Sequence, residues 1–123
     1  MPPTATPLVL LIEDDRDTRE MYVLGLQAFG IELAEASTGT EGLELAVKLR
    51  PQAIVTDLTL PDMDGLELCQ QLLADARTRD VPLIALTGRS TESMSLPAGV
   101  KRVLIKPCLP DDLAATLREV LSE

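Results

Sequence analysis

Short, uninterrupted apolar runs recur along this chain, and most are followed by a stretch with helical spacing. Leu8 to Ile12 is apolar throughout, and Ala53-Ile54-Val55 runs into Thr56 and Asp57 before the turn signals Pro61 and Gly65. Strands that are continuously apolar belong to sheets buried on both faces, which in practice means parallel strands covered by crossover helices. The chain is therefore expected to fold as an α/β protein with right-handed crossovers.

The pattern predicts strands over residues 8–12, 31–36, 53–57, 82–86 and 103–105. Between them it predicts a helix from Arg16 to Phe29, with Met21, Leu24 and Ala28 sharing one face and Gly30 as a left-handed stop. Thr40 to Leu49 is a second helix, with Leu43, Ala46 and Val47 on one face and Pro51 as its terminator. Asp64 to Ala76 is a third, packing Leu68, Leu72 and Leu73, and Asp111 to Leu121 closes the chain. Gly88 to Pro97 falls where another helix belongs, but it is rich in Ser and Thr and ends in Pro, so irregular turns are expected there. Residues 1–7, with three prolines, read as a flexible tail, and 8–123 as one domain without internal repeat or linker.

Composition narrows the chemistry. A net charge of −9 argues against non-specific nucleic-acid binding, which needs a basic face. No apolar run approaches the roughly 20 residues that span a bilayer, and the first residues lack a signal-peptide pattern, so a cytoplasmic protein is expected. Cys69 and Cys108 have no metal-ligand spacing and read as reduced small hydrophobes. There is no histidine, which removes Ser-His and Cys-His catalytic pairs and His-ligated zinc. Any chemistry must rest on carboxylates, hydroxyls, Lys and a hard metal ion.

An isolated Asp after a strand is ordinarily a solvated turn residue. Here the first strand stops at Glu13-Asp14-Asp15, the third at Asp57, the fourth at Thr87 and the fifth at Lys106-Pro107. In a parallel sheet all of these lie on the carboxyl edge, where open α/β sheets hold their ligands. Clustered carboxylates suit Mg²⁺, Asp forms acyl phosphates, and Lys and Thr contribute a charge and a donor to phosphoryl oxygens. Phosphoryl transfer to a carboxylate is the chemistry that wants this set.

At these residues the chain resembles the receiver domains of two-component response regulators. Leu11-Ile12-Glu13-Asp14-Asp15, Asp57 through Gly65, Leu86-Thr87-Gly88 and Lys106-Pro107 carry the likeness, which extends from about Leu8 to Leu121. The resemblance implies a flavodoxin-like doubly wound five-stranded parallel sheet of order 2-1-3-4-5, with a shortened or irregular fourth helix in this chain. It implies that Asp57 is phosphorylated by a sensor histidine kinase or a histidine phosphotransfer protein. Glu13 and Asp14 match the acidic pair, with Asp14 the direct Mg²⁺ ligand, although three consecutive acids leave that register open by one residue. The Thr59 carbonyl matches the third protein ligand beside Asp57. Thr87 matches the switch hydroxyl, Lys106 the phosphate-binding lysine, and Lys106–Pro107 the family's cis peptide. Such a domain catalyses its own phosphorylation and dephosphorylation without a separate substrate, as a monomer or weak dimer.

Two departures bear on output. The aromatic usual three residues before the lysine is replaced by Val103, and the interval from Thr87 to Lys106 is shorter than is usual in the family. Output is therefore expected to use the first helix or the loops around the site, or the phosphoryl group to pass onward. Thr59 and Arg89 flank the expected path of the attacking water. A second reading is an unphosphorylated receiver-like interaction module with an atypical output face, which Val103 and the short interval favour. Retention of every residue the chemistry needs favours the phosphoacceptor. A stand-alone phosphatase or small-molecule kinase is disfavoured because no substrate-binding segment remains once the sheet is built.

Overall fold

The computed structural model describes residues 6–88 and 96–123. In chain order the elements are β1 (Leu8–Ile12), α1 (Arg16–Gln27), β2 (Glu32–Ala36), α2 (Gly39–Leu49), β3 (Ala53–Asp57), α3 (Gly65–Ala74), β4 (Leu83–Thr87), β5 (Val100–Ile105) and α4 (Pro110–Leu121). The five strands form one parallel sheet in the order β2-β1-β3-β4-β5. The expected fold and strand order are both observed.

Alternation along the central strands divides the core in two. Val9 and Leu11 of β1, Val55 of β3, and Ile84 and Leu86 of β4 pack beneath α1 and α4, together with Tyr22, Leu26, Leu113 and Leu117. Leu10, Ile12, Ile54 and Ala85 face the other way, onto Ala46, Leu68 and Leu72 of α2 and α3. β3 and β4 are buried at every residue, which is why they read as unbroken apolar runs. Helix starts follow local capping: Asp15 accepts from the Thr18 amide at 2.9 Å, Thr38 from Glu41 at 3.1 Å and Asp64 from Leu66 at 2.9 Å. α4 instead begins with Pro110 at its first turn.

Three expectations need correction. The stripe of Met21, Leu24 and Ala28 on α1 faces solvent, with Leu24 69% exposed, while Tyr22 and Leu26 are buried. The cause is a close crossing. A side chain at Gly25 would strike the Pro110 ring, so α1 turns its Gly25 side toward the start of α4 and carries Tyr22 and Leu26 inward. β5 begins at Val100 rather than Val103, because an edge strand tolerates exposed Lys101 and half-buried Arg102 and so lacks a continuous apolar signature. Its register shifts between Leu83 and Ile84, leaving Lys101 as an extra residue. α3 stops at Ala74, where the Thr78 hydroxyl donates to the Leu72 carbonyl at 2.7 Å and turns the chain.

Four helices are present among the described residues. The irregular fourth helix expected over 88–97 falls largely on residues 89–95, outside the described residues, as do the first five residues of the expected tail. The Pro7 carbonyl already accepts the Glu32 amide at 2.9 Å.

Candidate functional site at the carboxyl edge of the sheet

Strand register brings the candidate residues together. Ile12 pairs with Thr56, so Glu13 and Asp57 leave adjacent strands side by side. Asp57 pairs with Leu86, which places Thr87 one step further along β4. The Lys106 amide donates to the Thr87 carbonyl at 2.7 Å, extending the β4–β5 ladder to the lysine.

Lys106 reaches back across this edge. Its Nζ donates to Glu13 Oε1 at 2.7 Å and to Asp57 Oδ2 at 2.8 Å. Glu13 is 1% exposed and Asp57 6%, whereas Asp14 is exposed. Carboxylate oxygens of Glu13, Asp14 and Asp57 all lie within 4.8 Å of one another. Among the described residues one ammonium stands among these three carboxylates, an excess of negative charge. Every candidate donor in this cluster is a hard oxygen, so the residues fit a hard divalent cation.

The third acid of the triplet has separate work. Asp15 caps α1, its Oδ2 accepting from the Thr18 amide at 2.9 Å and from the Thr18 hydroxyl. Glu13 Oε2 in turn accepts the Asp15 amide at 3.1 Å. Glu13 and Asp14 are thus the two acids of the triplet that join Asp57 in the cluster.

Burial pushes the Glu13 carboxyl above its usual range, helped by the neighbouring Asp57 charge and opposed by its hydrogen bonds from Lys106 and the Asp15 amide. For Lys106, desolvation pulls downward but is outweighed by the hydrogen bonds to Asp57 and Glu13 and by their charges, so its ammonium is held above the ordinary lysine value. The lysine stays protonated at any physiological pH.

The loop after β3 completes the edge. The Thr59 amide donates to Asp57 Oδ1 at 2.9 Å, fixing the carboxylate plane together with Lys106. Thr59 also bridges Asp64, and the Gly65 amide donates to the Leu58 carbonyl at 3.2 Å. A side chain at Gly65 would collide with the Leu58 backbone, so the tight return requires glycine. The Lys106–Pro107 bond is cis, as the resemblance implied. Val103 packs against the core on the α2–α3 side of the sheet. Arg89 lies outside the described residues.

Two supporting residues were not anticipated. Arg19 donates through Nη1 to the Glu13 carbonyl at 2.9 Å, and its Nε lies 3.3 Å from Glu35, bracing the acidic turn against β2. Asp62 reaches α2, with hydrogen bonds to Gly39 and Thr40. The spacing of Arg19, one turn beyond Asp15 on the same helix, was a readable signal. Asp62 had none, because its partners are over 20 residues away.

A family model described as the response regulator receiver domain matches residues 9–118. Among curated proteins, the DNA-binding dual master transcriptional regulator RpaA of Synechocystis is 34% identical over 94% of this chain and 49% of its own. The transcriptional regulatory protein AfsQ1 of Streptomyces coelicolor is 37% identical over 94% of this chain and 51% of its own. The chain thus spans about half the length of these relatives. Among solved structures, the chemotaxis response regulator CheY4 of Vibrio cholerae superposes with a TM-score of 0.86 at 30% identity, covering 94% of this chain and 99% of that one.

Proposed function

The chain belongs to the response regulator receiver family, and from that premise we propose that Asp57 accepts a phosphoryl group from a phosphohistidine on a sensor kinase or phosphotransfer protein. The observation that carries this reading is the contact of Lys106 Nζ with Asp57 Oδ2 at 2.8 Å, at the buried end of β3. A positive charge fixed beside an acceptor carboxylate serves transfer, because negative charge accumulates on the phosphoryl oxygens as the bond forms.

In the proposed reaction an Asp57 carboxylate oxygen attacks phosphorus while the phosphorus–nitrogen bond of the donor breaks. The electron pair stays on the partner's imidazole nitrogen, which takes up a proton from solvent. The Thr59 amide and Lys106 each hold one Asp57 oxygen, and each oxygen keeps a second lone pair for the attack. Lys106 then follows the charge onto the phosphoryl group, and the Thr87 hydroxyl supplies a further donor. Release of the group to water returns the carboxylate. The domain is thus a signalling device rather than an enzyme with a separate substrate.

Glu13, Asp14, Asp57 and the Thr59 carbonyl are the proposed holders of Mg²⁺, supported by the shared 4.8 Å carboxylate cluster. When bound, that ion would neutralise negative charge on the phosphoryl oxygens.

For the signal's route, α1 and the loops around the site are the proposed surface. Met21 is exposed on α1 and borders, with Thr18, Pro107 and Leu109, an open groove that reaches Lys106. Val103 offers no ring to turn inward. A net charge of −9 argues against these residues meeting nucleic acid directly. Among the described residues no helix is long and apolar enough to cross a membrane, and a cytoplasmic monomer or weak dimer is the proposed state.

Incubation with acetyl phosphate and Mg²⁺ followed by intact-mass measurement tests the reading. One added phosphoryl mass, labile to hydroxylamine and lost in Asp57→Ala, is expected. Absence of the adduct overturns it and leaves the unphosphorylated interaction module; survival of the adduct in Asp57→Ala overturns it by placing the phosphoryl group on another residue.

A further inference from the structure

Asp62 sits in what the sequence presents as an ordinary Pro-Asp turn, yet its carboxylate is spent on a different element. Oδ1 accepts the Gly39 amide at 2.7 Å. Oδ2 accepts both the Thr40 amide at 2.9 Å and the Thr40 hydroxyl at 2.7 Å. Gly39 and Thr40 open α2, where amides have no partner within the helix. The next amide, Glu41, is already taken by Thr38. Asp62 therefore completes from a distance the cap that Thr38 begins, and its charge meets the positive end of the helix.

A second contact reinforces the first. The Met63 side chain lies directly over Gly39, where a Cβ would come within 2.5 Å of Met63 Cγ. The loop between β3 and α3 is thus fastened to α2 by one polar and one apolar grip. Its two ends are tied elsewhere, at Thr59 by the Asp57 carboxylate and at Asp64 by the cap of α3. Asp62 is the fastening between these ties.

We propose that Asp62 is a positioning residue for phosphoryl transfer: clamping the 58–64 loop to α2 holds Thr59 against Asp57. This rests on the reading of Asp57 as phosphoryl acceptor. The Thr59 amide sets the plane of the Asp57 carboxylate, and the Thr59 carbonyl is a proposed cation ligand. Both directions are fixed only while the loop is fixed. Removing the clamp lets the loop drift, which weakens the cation and lowers transfer without touching any reacting atom. The hydrogen bonds from Thr40 and then Gly39 hold the Asp62 carboxyl down at about 2, so the clamp is closed throughout the physiological range.

The test compares wild type with Asp62→Ala and Asp62→Asn, each checked for folding by far-UV circular dichroism. Hydrogen–deuterium exchange over 58–64 reads the loop directly, and calorimetric Mg²⁺ titration reads the site. Faster loop exchange in Asp62→Ala, with Mg²⁺ affinity weakened about 10-fold, is the expected result, that being the lower end for residues that orient a ligand. Acetyl phosphate transfer should fall in parallel and recover at saturating Mg²⁺. Asp62→Asn, with a single oxygen for three donors, should lie between. Unchanged loop exchange overturns the clamp, whatever the wild type binds. Faster exchange with undiminished Mg²⁺ affinity and transfer makes Asp62 a helix cap only and also overturns the proposal. A wild type that takes neither Mg²⁺ nor phosphoryl group, with its loop loosened by the substitution, identifies instead a failure of the Asp57 reading and removes the positioning role with it.

Discussion

The Tyr22 hydroxyl donates to the Cys108 carbonyl at 2.7 Å, joining α1 to the segment that leaves β5 past Lys106. The ring is 1% exposed, and burial raises its phenol pKa. Tyr22 is also the only tyrosine in the chain. The bond therefore fastens the helix nearest the acidic turn to the loop that follows the lysine. Tyr22→Phe keeps the packing but leaves a buried carbonyl without its donor, a loss expected to cost about 1–3 kcal/mol. Urea unfolding followed by circular dichroism measures it. An unchanged midpoint and slope means water replaces the hydroxyl.

The rotation of α1 makes a sharper prediction, because two leucines two residues apart are assigned opposite fates. Leu26 is fully buried and Leu24 is 69% exposed. Leu26→Ala should cost about 2–5 kcal/mol, as buried leucine truncations do. Leu24→Ala should stay within about 0.5 kcal/mol. Equal losses in chemical denaturation contradict the observed face.

That helix also shows where sequence reasoning stops. The strands β1, β3 and β4 were legible because burial on both faces writes an unbroken apolar run. The site was legible because parallel strands must end on one edge, which gathers Glu13, Asp57, Thr87 and Lys106 without any knowledge of packing. The face of α1 was not, since Met21, Leu24 and Ala28 form as plausible a stripe as Tyr22 and Leu26. The choice is made by Gly25 against Pro110, a contact between residues 85 apart in number. Lys101 in β5 and the Asp62 clamp were hidden for the same reason. An edge strand and a distant cap answer to partners that local periodicity does not encode.

Acid stability should carry the mark of Asp62. Its pKa is lowered from 3.8 to about 2 by the Thr40 and Gly39 hydrogen bonds, so its contribution is present above the unfolded value and is lost as pH falls toward 2. Asp75, lowered likewise to about 2 by Arg77, acts in the same window. Glu13 acts in the opposite sense: its raised pKa favours the folded state at low pH and loses that contribution as pH rises through the folded value. Glu13 and Asp75 are common to wild type and Asp62→Asn, so they cancel in the difference. The difference in thermal midpoint should be constant from pH 7 to about 5, shrink below pH 4, and be lost as pH falls through about 2. A difference independent of pH would falsify the assignment of the clamp to the ionised carboxylate.

Lys106 should oppose cation binding even as it serves the proposed transfer. Its ammonium is the only cation hydrogen-bonded to the Glu13 and Asp57 carboxylates among the described residues, and it stands 2.7 and 2.8 Å from them. A divalent ion entering the cluster feels this charge as repulsion, at separations where unit charges interact by about 1–4 kcal/mol in a partly wet site. Lys106→Met preserves the stem and removes the charge. Mg²⁺ affinity should then rise by about 10-fold at low ionic strength, with the gain shrinking as salt is added. Transfer from acetyl phosphate should fall despite the tighter metal, because the phosphoryl oxygens lose their fixed positive partner. Calorimetric titration and intact-mass kinetics on the same variant separate the two effects. Weaker Mg²⁺ binding in Lys106→Met would mean that the lysine's chief task is to order Glu13 and Asp57, and that the charge balance drawn for this edge is wrong.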